Sequence, residues 1–128
     1  MQEKKNPLSP HLQIYKWQIS SLLSITHRIV GVINIVAISA ICFWSLFLLL
    51  GAENYVVLKF FFNSFFGKFI AVGLCWTFSF HILNELRHLF WDMGYGFDLK
   101  ISRITGVLAL VGSFVLTILL YLIGKNIF

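Results

Sequence analysis

Charged residues are scarce in this sequence, making up 12% of its 128 residues against 59% hydrophobic. A soluble domain carries about a quarter charged residues to cover its surface, so that class is excluded and lipid becomes the expected solvent. The 14 phenylalanines fit the same reading. Acidic residues are fewer still, and the balance is a formal charge of +5. The basic residues sit at the edges of apolar blocks, which points to orientation in a membrane rather than to nucleic-acid binding. Cysteine is limited to Cys42 and Cys75, both inside apolar runs. Two isolated cysteines make no zinc or iron–sulfur spacing and read as small buried hydrophobes. The opening MQEKKNPLSPHLQ lacks the apolar core of a signal peptide and the acid-free, Arg/Ser-rich character of a transit peptide. That points to a chain made in a bacterium or encoded within an organelle. No internal repeat, linker or soluble domain is visible.

What is present is three long apolar runs, at residues 29–50, 69–91 and 104–124. Each is long enough to cross the hydrocarbon core as a helix, which takes about 20 residues. The expectation is an all-α membrane protein with three transmembrane helices. It forms a single membrane-anchor domain over 1–128, with 1–28 as an N-terminal arm and interfacial helix start. Lys4, Lys5, Lys16, Arg28, Arg87, Lys100 and Arg103 fall on one side of this map; Lys59, Lys68 and Lys125 fall on the other. The positive-inside rule then places the N-terminus inside and the C-terminus outside. Tyr15 and Trp17 before the first span, and Trp91 and Tyr95 around the inner end of the second, suit the headgroup level. Met93-Gly-Tyr-Gly-Phe-Asp98 supplies a glycine turn before the third span. The Phe-rich segment 59–66 precedes the second span, and the sequence leaves its placement open.

Polar side chains at membrane depth are costly and tend to mark function. They gather in two places. In Ser21–Arg28, Ser24, His27 and Arg28 fall at i, i+3 and i+4 and share a helix face. Arg28 keeps its charge when partly buried. With Ser24 beside it, it could polarise a carbonyl oxygen, clamp a propionate or phosphate, or simply snorkel to the headgroups.

In His81–His88, the residues His81, Glu85 and His88 form one stripe at i, i+4 and i+7. His81 lies roughly 10 Å deeper than His88 by helical rise. An imidazole at that depth needs a partner: a haem iron, another metal, a proton path, or a hydrogen bond to a neighbouring helix. The chain's other histidines are His11, His27 and His88, none expected at the depth of His81. A bis-histidine haem would therefore draw its second ligand from another polypeptide, and three helices close poorly around a macrocycle. His27, Arg28 and His88 could then pair with propionates. Glu85-x-x-His88 is also half of a di-iron carboxylate motif, but Glu3 and Glu53 lie outside the spans and leave it incomplete.

Asn6-Pro-Leu-Ser-Pro-His-Leu-Gln-Ile-Tyr-Lys-Trp17, Ser24-Ile-Thr-His-Arg28 with Gly31, and His81-x6-His88-Leu-Phe-Trp-Asp-Met-Gly94 with Arg87 together resemble the cytochrome b subunits of succinate dehydrogenase. The resemblance covers the arm and the first two spans; the third span matches only in being apolar. It implies a complex II in which a flavoprotein oxidises succinate and an iron–sulfur subunit passes electrons to the membrane. This chain would be half of a heteromeric helix bundle, sharing haem b with a second small haem-binding anchor subunit and reducing ubiquinone. His81 would be the axial haem-iron ligand, His27, Arg28 and His88 haem neighbours, and Ser24 and Arg28 quinone-site residues. Asp92 is a further candidate for the quinone or proton-delivery region. The implied location is a bacterial inner membrane, or the mitochondrial inner membrane if organelle-encoded, with lipid and no nucleic acid as surroundings. Two positions depart from the pattern. The family commonly has Gly at the place of Glu85, and Thr or Ser at that of Val30. Besides this reading stand a haem-free structural anchor of the same complex and a small assembly or proton-path subunit of another class.

Overall fold

The computed structural model describes residues 17–51 and 53–127. The arm that carries Lys4, Lys5, His11, Tyr15 and Lys16 lies outside the described residues. Four helices follow in order: α1 (Ile19–Leu49), α2 (Glu53–Asn63), α3 (Phe65–Asp92) and α4 (Leu99–Ile127). No strand occurs among the described residues. Helices α1, α3 and α4 are long and apolar enough to cross a membrane, and α2, with 11 residues, is too short to do so.

Helix α1 is 31 residues long, about 46 Å at 1.5 Å per residue. It starts ten residues ahead of its apolar run because the hydroxyl-rich stretch folds back on its own backbone. Ser21 Oγ donates to the Gln18 carbonyl at 2.8 Å and Thr26 Oγ1 to that of Leu22 at 2.9 Å. Serine and threonine that bond this way can stay inside an apolar helix at little cost.

The α2–α3 junction is a sharp knee. Ser64 is extended, accepts the Gly67 amide at 3.1 Å and donates to the Phe61 carbonyl at 2.6 Å. A Cβ on Gly67 would collide with that carbonyl, so glycine is required. Segment 59–66 is thus the end of α2 and its turn, and Phe62 stacks on Trp44 of α1 with centroids 5.6 Å apart. At the other end of α3, Gly94 adopts φ +86° and its amide bonds the Trp91 carbonyl at 2.8 Å. This left-handed glycine is the usual helix stop, and it turns the chain into α4.

The interior has inverted polarity. Large apolar side chains cover the outside of all three long helices, where lipid replaces water. The buried set mixes Leu23, Val30, Ala37, Phe80 and Ala109 with Asn34, Thr77, Ser79, Asn84, Arg87, Ser113 and Thr117. Lipid tails are as apolar as leucine, so apolar burial does not drive helices together; small residues and polar contacts do. Gly106 is one such place. A Cβ there would collide with Leu23 and lie 3.6 Å from the Arg87 guanidinium. Most buried hydroxyls bond a carbonyl of their own helix, as Ser79 does to Cys75, Ser113 to Leu110 and Thr117 to Ser113. Asn34 reaches across instead, donating to the Thr77 carbonyl at 3.4 Å.

Candidate functional site

The C-terminal half of α3 carries two polar stripes. The first faces α1. His81, Glu85 and His88 meet His27 there: the His27 ring centroid lies 4.3 Å from that of His81 and 5.5 Å from that of His88. His27 Nε2 is 3.2 Å from Glu85 Oε1. That nitrogen is buried, yet the contact lies off the direction a ring N–H would take, so it is not a formed hydrogen bond. One ligand-capable atom from each of His27, His81 and Glu85 falls within 4.8 Å of the others. Gly31 makes the approach possible, since a Cβ there would press on His81 Nε2 at 3.2 Å.

This arrangement corrects one expectation. His27 is not confined to the boundary but lies beside His81. The reason is the close packing of α1 on α3 at Gly31, which brings the face carrying His27 onto His81. The two rings are in van der Waals contact, so no macrocycle fits between them.

Helix α1 also contributes hydroxyls. Ser20, Ser21 and Ser24 line a cavity of about 280 Å³ with Asn84, Arg87, His88 and Trp91 of α3. Ser24 is exposed and borders this space. Arg28 is exposed too, but it is not among the residues lining the cavity. Asp92 is exposed as the last residue of α3. Val30 is buried in the apolar cluster with Leu23 and Phe80, where a hydroxyl would bring nothing to the histidines.

The second stripe faces α4 and centres on Arg87, which is 7% exposed. Its Nη2 donates to the Ser102 carbonyl and hydroxyl, both at 2.9 Å. Its Nε donates to Thr105 Oγ1 at 3.3 Å and its Nη1 to Asn84 Oδ1 at 3.4 Å. The guanidinium carbon sits 4.2 Å over the Trp91 ring, within cation–π reach. No carboxylate pairs with Arg87 among the described residues. Asn84 joins the stripes, because its amide nitrogen lies 3.5 Å from His88 Nε2. Beyond Arg87 and Trp91 an apolar groove of about 580 Å³ runs between α3 and α4.

In the sequence Arg87 stands out only as an orienting boundary charge and part of the family motif, and Asn84 does not stand out at all. The available signal was an arginine in an apolar block with Ser102 and Thr105 at i and i+3 at the start of the next span.

Residues 2–120 match the family described as succinate dehydrogenase/fumarate reductase transmembrane subunit. The chain is 45% identical over 117 residues to a succinate dehydrogenase cytochrome b556 subunit of Rickettsia felis, covering 91% of each. It is 33% identical over 113 residues to the subunit of that name in Paracoccus denitrificans, covering 88% of this chain and 87% of the other. A succinate dehydrogenase cytochrome b560 subunit of Reclinomonas americana is 35% identical over 125 residues, 91% of this chain and 85% of its own length.

Proposed function

This chain belongs to the succinate dehydrogenase/fumarate reductase transmembrane subunit family, and on that premise we propose that it is the cytochrome b anchor of a succinate:ubiquinone oxidoreductase. With three helices of membrane length and relatives in Rickettsia and Paracoccus, it is a multi-pass protein of the bacterial inner membrane. Flavin chemistry and iron–sulfur electron delivery belong, in this reading, to two partner subunits. The N-terminus lies on the cytoplasmic side, supported by seven of the ten Lys and Arg residues on that side of the map.

The observation that carries the proposal is the cluster of His27, His81 and His88 on the α1–α3 seam. Its donors fit a b-type haem, whose iron takes imidazole nitrogen. His81, the deepest of the α3 histidines, would hold the iron; His27, Arg28 and His88 would be its polar neighbours. Because His27 and His81 touch, this chain would offer one imidazole to the iron, and a sister anchor subunit would offer the other. When bound, the haem supplies one-electron redox chemistry.

Ubiquinone binds at the α1 side of the seam. The Ser24 hydroxyl donates a hydrogen bond to a quinone carbonyl oxygen. The Arg28 guanidinium adds a fixed positive field that stabilises negative charge developing on that oxygen. The cavity beside Ser24, walled by hydroxyls and the indole of Trp91, supports this placement. Protons reach the quinone from the cytoplasmic side.

A haem-free anchor of the same complex is the second reading, favoured by the 3.2 Å approach of Glu85 to His27, which offers that imidazole a partner inside the chain. A reduced-minus-oxidised visible spectrum of the complex purified through this chain decides between them. Sharp b-type bands, lost in His81→Ala while the subunits still co-purify, are expected. A complex without bands that still passes electrons from succinate to quinone would establish the second reading.

A further inference from the structure

We propose that Glu85 sets the redox poise of the haem site, biasing the iron towards its ferric state by placing a carboxylate beside the axial histidine. This rests on the reading of His81 as the haem ligand.

Position comes first. Glu85 follows His81 by four residues on α3, so its Cα lies one turn along the same stripe. That relation is fixed by the helix and does not depend on the rotamer of either side chain. The ligand-capable atoms of His81, His27 and Glu85 lie within 4.8 Å of one another. The Glu85 side chain is 56% exposed, so it borders the outer side of the seam, where a second chain and a macrocycle would close over it. The other described acids are elsewhere: Glu53 opens α2, Asp92 ends α3 and Asp98 precedes α4. Arg87, the buried cation of α3, is spent on the α4 side.

Reducing the iron adds one negative charge to the site. A fixed carboxylate opposes that addition, and burial by partner subunits strengthens the opposition. For a carboxylate one helical turn from the ligand, acting through an effective dielectric of about 20, the effect on the ferrous-to-ferric ratio is on the order of tenfold or more. Net charge and burial are among the levers a protein has on such a potential. Glu85 is thus a positioning and tuning residue, not a ligand.

A reductive titration of the haem bands in the purified complex tests this. Glu85→Gln keeps the shape and removes the charge. Its ferrous-to-ferric ratio at a fixed potential should rise about tenfold, equivalent to about 59 mV for a one-electron couple, with band positions unchanged. Glu85→Asp, which draws the carboxylate back by one methylene, should shift in the same direction by less. A Gln variant with intact bands that titrates at the wild-type potential or below overturns the proposal. If Gln costs the complex its haem, the Asp variant decides by the same criterion. A wild-type complex with no haem bands removes the premise instead, an outcome visible before any variant is made.

Discussion

Helix α3 has two seams, and they treat polar groups differently. Towards α4, Arg87 donates to Ser102, Thr105 and Asn84 and lies over Trp91. The cation is buried and its donors are largely used. Towards α1, three imidazoles and a carboxylate are crowded together, yet His27 Nε2 makes no aligned hydrogen bond. A buried polar network that is satisfied serves to hold helices in register. One that is left short of partners awaits something. The contrast argues that the α4 seam is structural and the α1 seam functional.

Substitutions can break or sharpen this contrast. The largest effect is expected at Arg28 of α1, in the proposed quinone site. Arg28→Ala should lower succinate–quinone reduction by about 100-fold or more, the scale of removing a charge aimed at a developing anion. Dye-linked succinate oxidation and subunit co-purification should be unchanged. Near-normal quinone reduction would take Arg28 out of the site.

Next is Arg87→Leu, on the structural seam. Loss of its contacts to α4 should cost about 2 kcal/mol, given roughly 0.6 kcal/mol for a typical interhelical hydrogen bond in a membrane. The readout is a lower midpoint for thermal dissociation in detergent; because Arg87 also lines the cavity beside Ser24, a modest loss of quinone turnover per assembled complex should accompany it. If turnover per complex collapsed while stability held, the division between the seams would be wrong.

Gly106→Ala probes the neighbouring contact of α4 with α1 without removing a charge. The added methyl meets Leu23, and overpacking of this kind costs about 1–3 kcal/mol. The loss should be relieved by Leu23→Ala in the double variant; additive losses would place the strain elsewhere.

The smallest effect should come from Thr105→Val, which removes a single acceptor of Arg87 at 3.3 Å. About 0.6 kcal/mol is expected in the same melting experiment, with no change in the haem spectrum.

The fold was legible where physics depends on length and apolarity alone. Three charge-poor runs specify three helices, and each lies mainly within one long helix of the structure. The start of α1 was not legible in that way. Ser20, Ser21, Ser24 and Thr26 lower hydropathy without breaking the helix, because back-bonding satisfies hydroxyls such as those of Ser21 and Thr26. The candidate site was legible as stripes: spacing places His81, Glu85 and His88 on one face. Spacing does not say which helix that face meets. So the meeting of His27 with His81, and of Arg87 with Ser102, appears only when the helices are packed.

The back-bonded hydroxyls also bear on how such a subunit is made. Ser39, Ser45, Ser79, Ser113 and Thr117 all close onto carbonyls of their own helices. None of these needs a neighbouring helix to be tolerated by lipid. The hydroxyls of each span are therefore satisfied as it leaves the translocation machinery, while Arg87 and Asn34 find their partners when the three helices pack. Biogenesis can then run in two separate acts: insertion of the chain first, and recruitment of its companions later from within the plane of the bilayer.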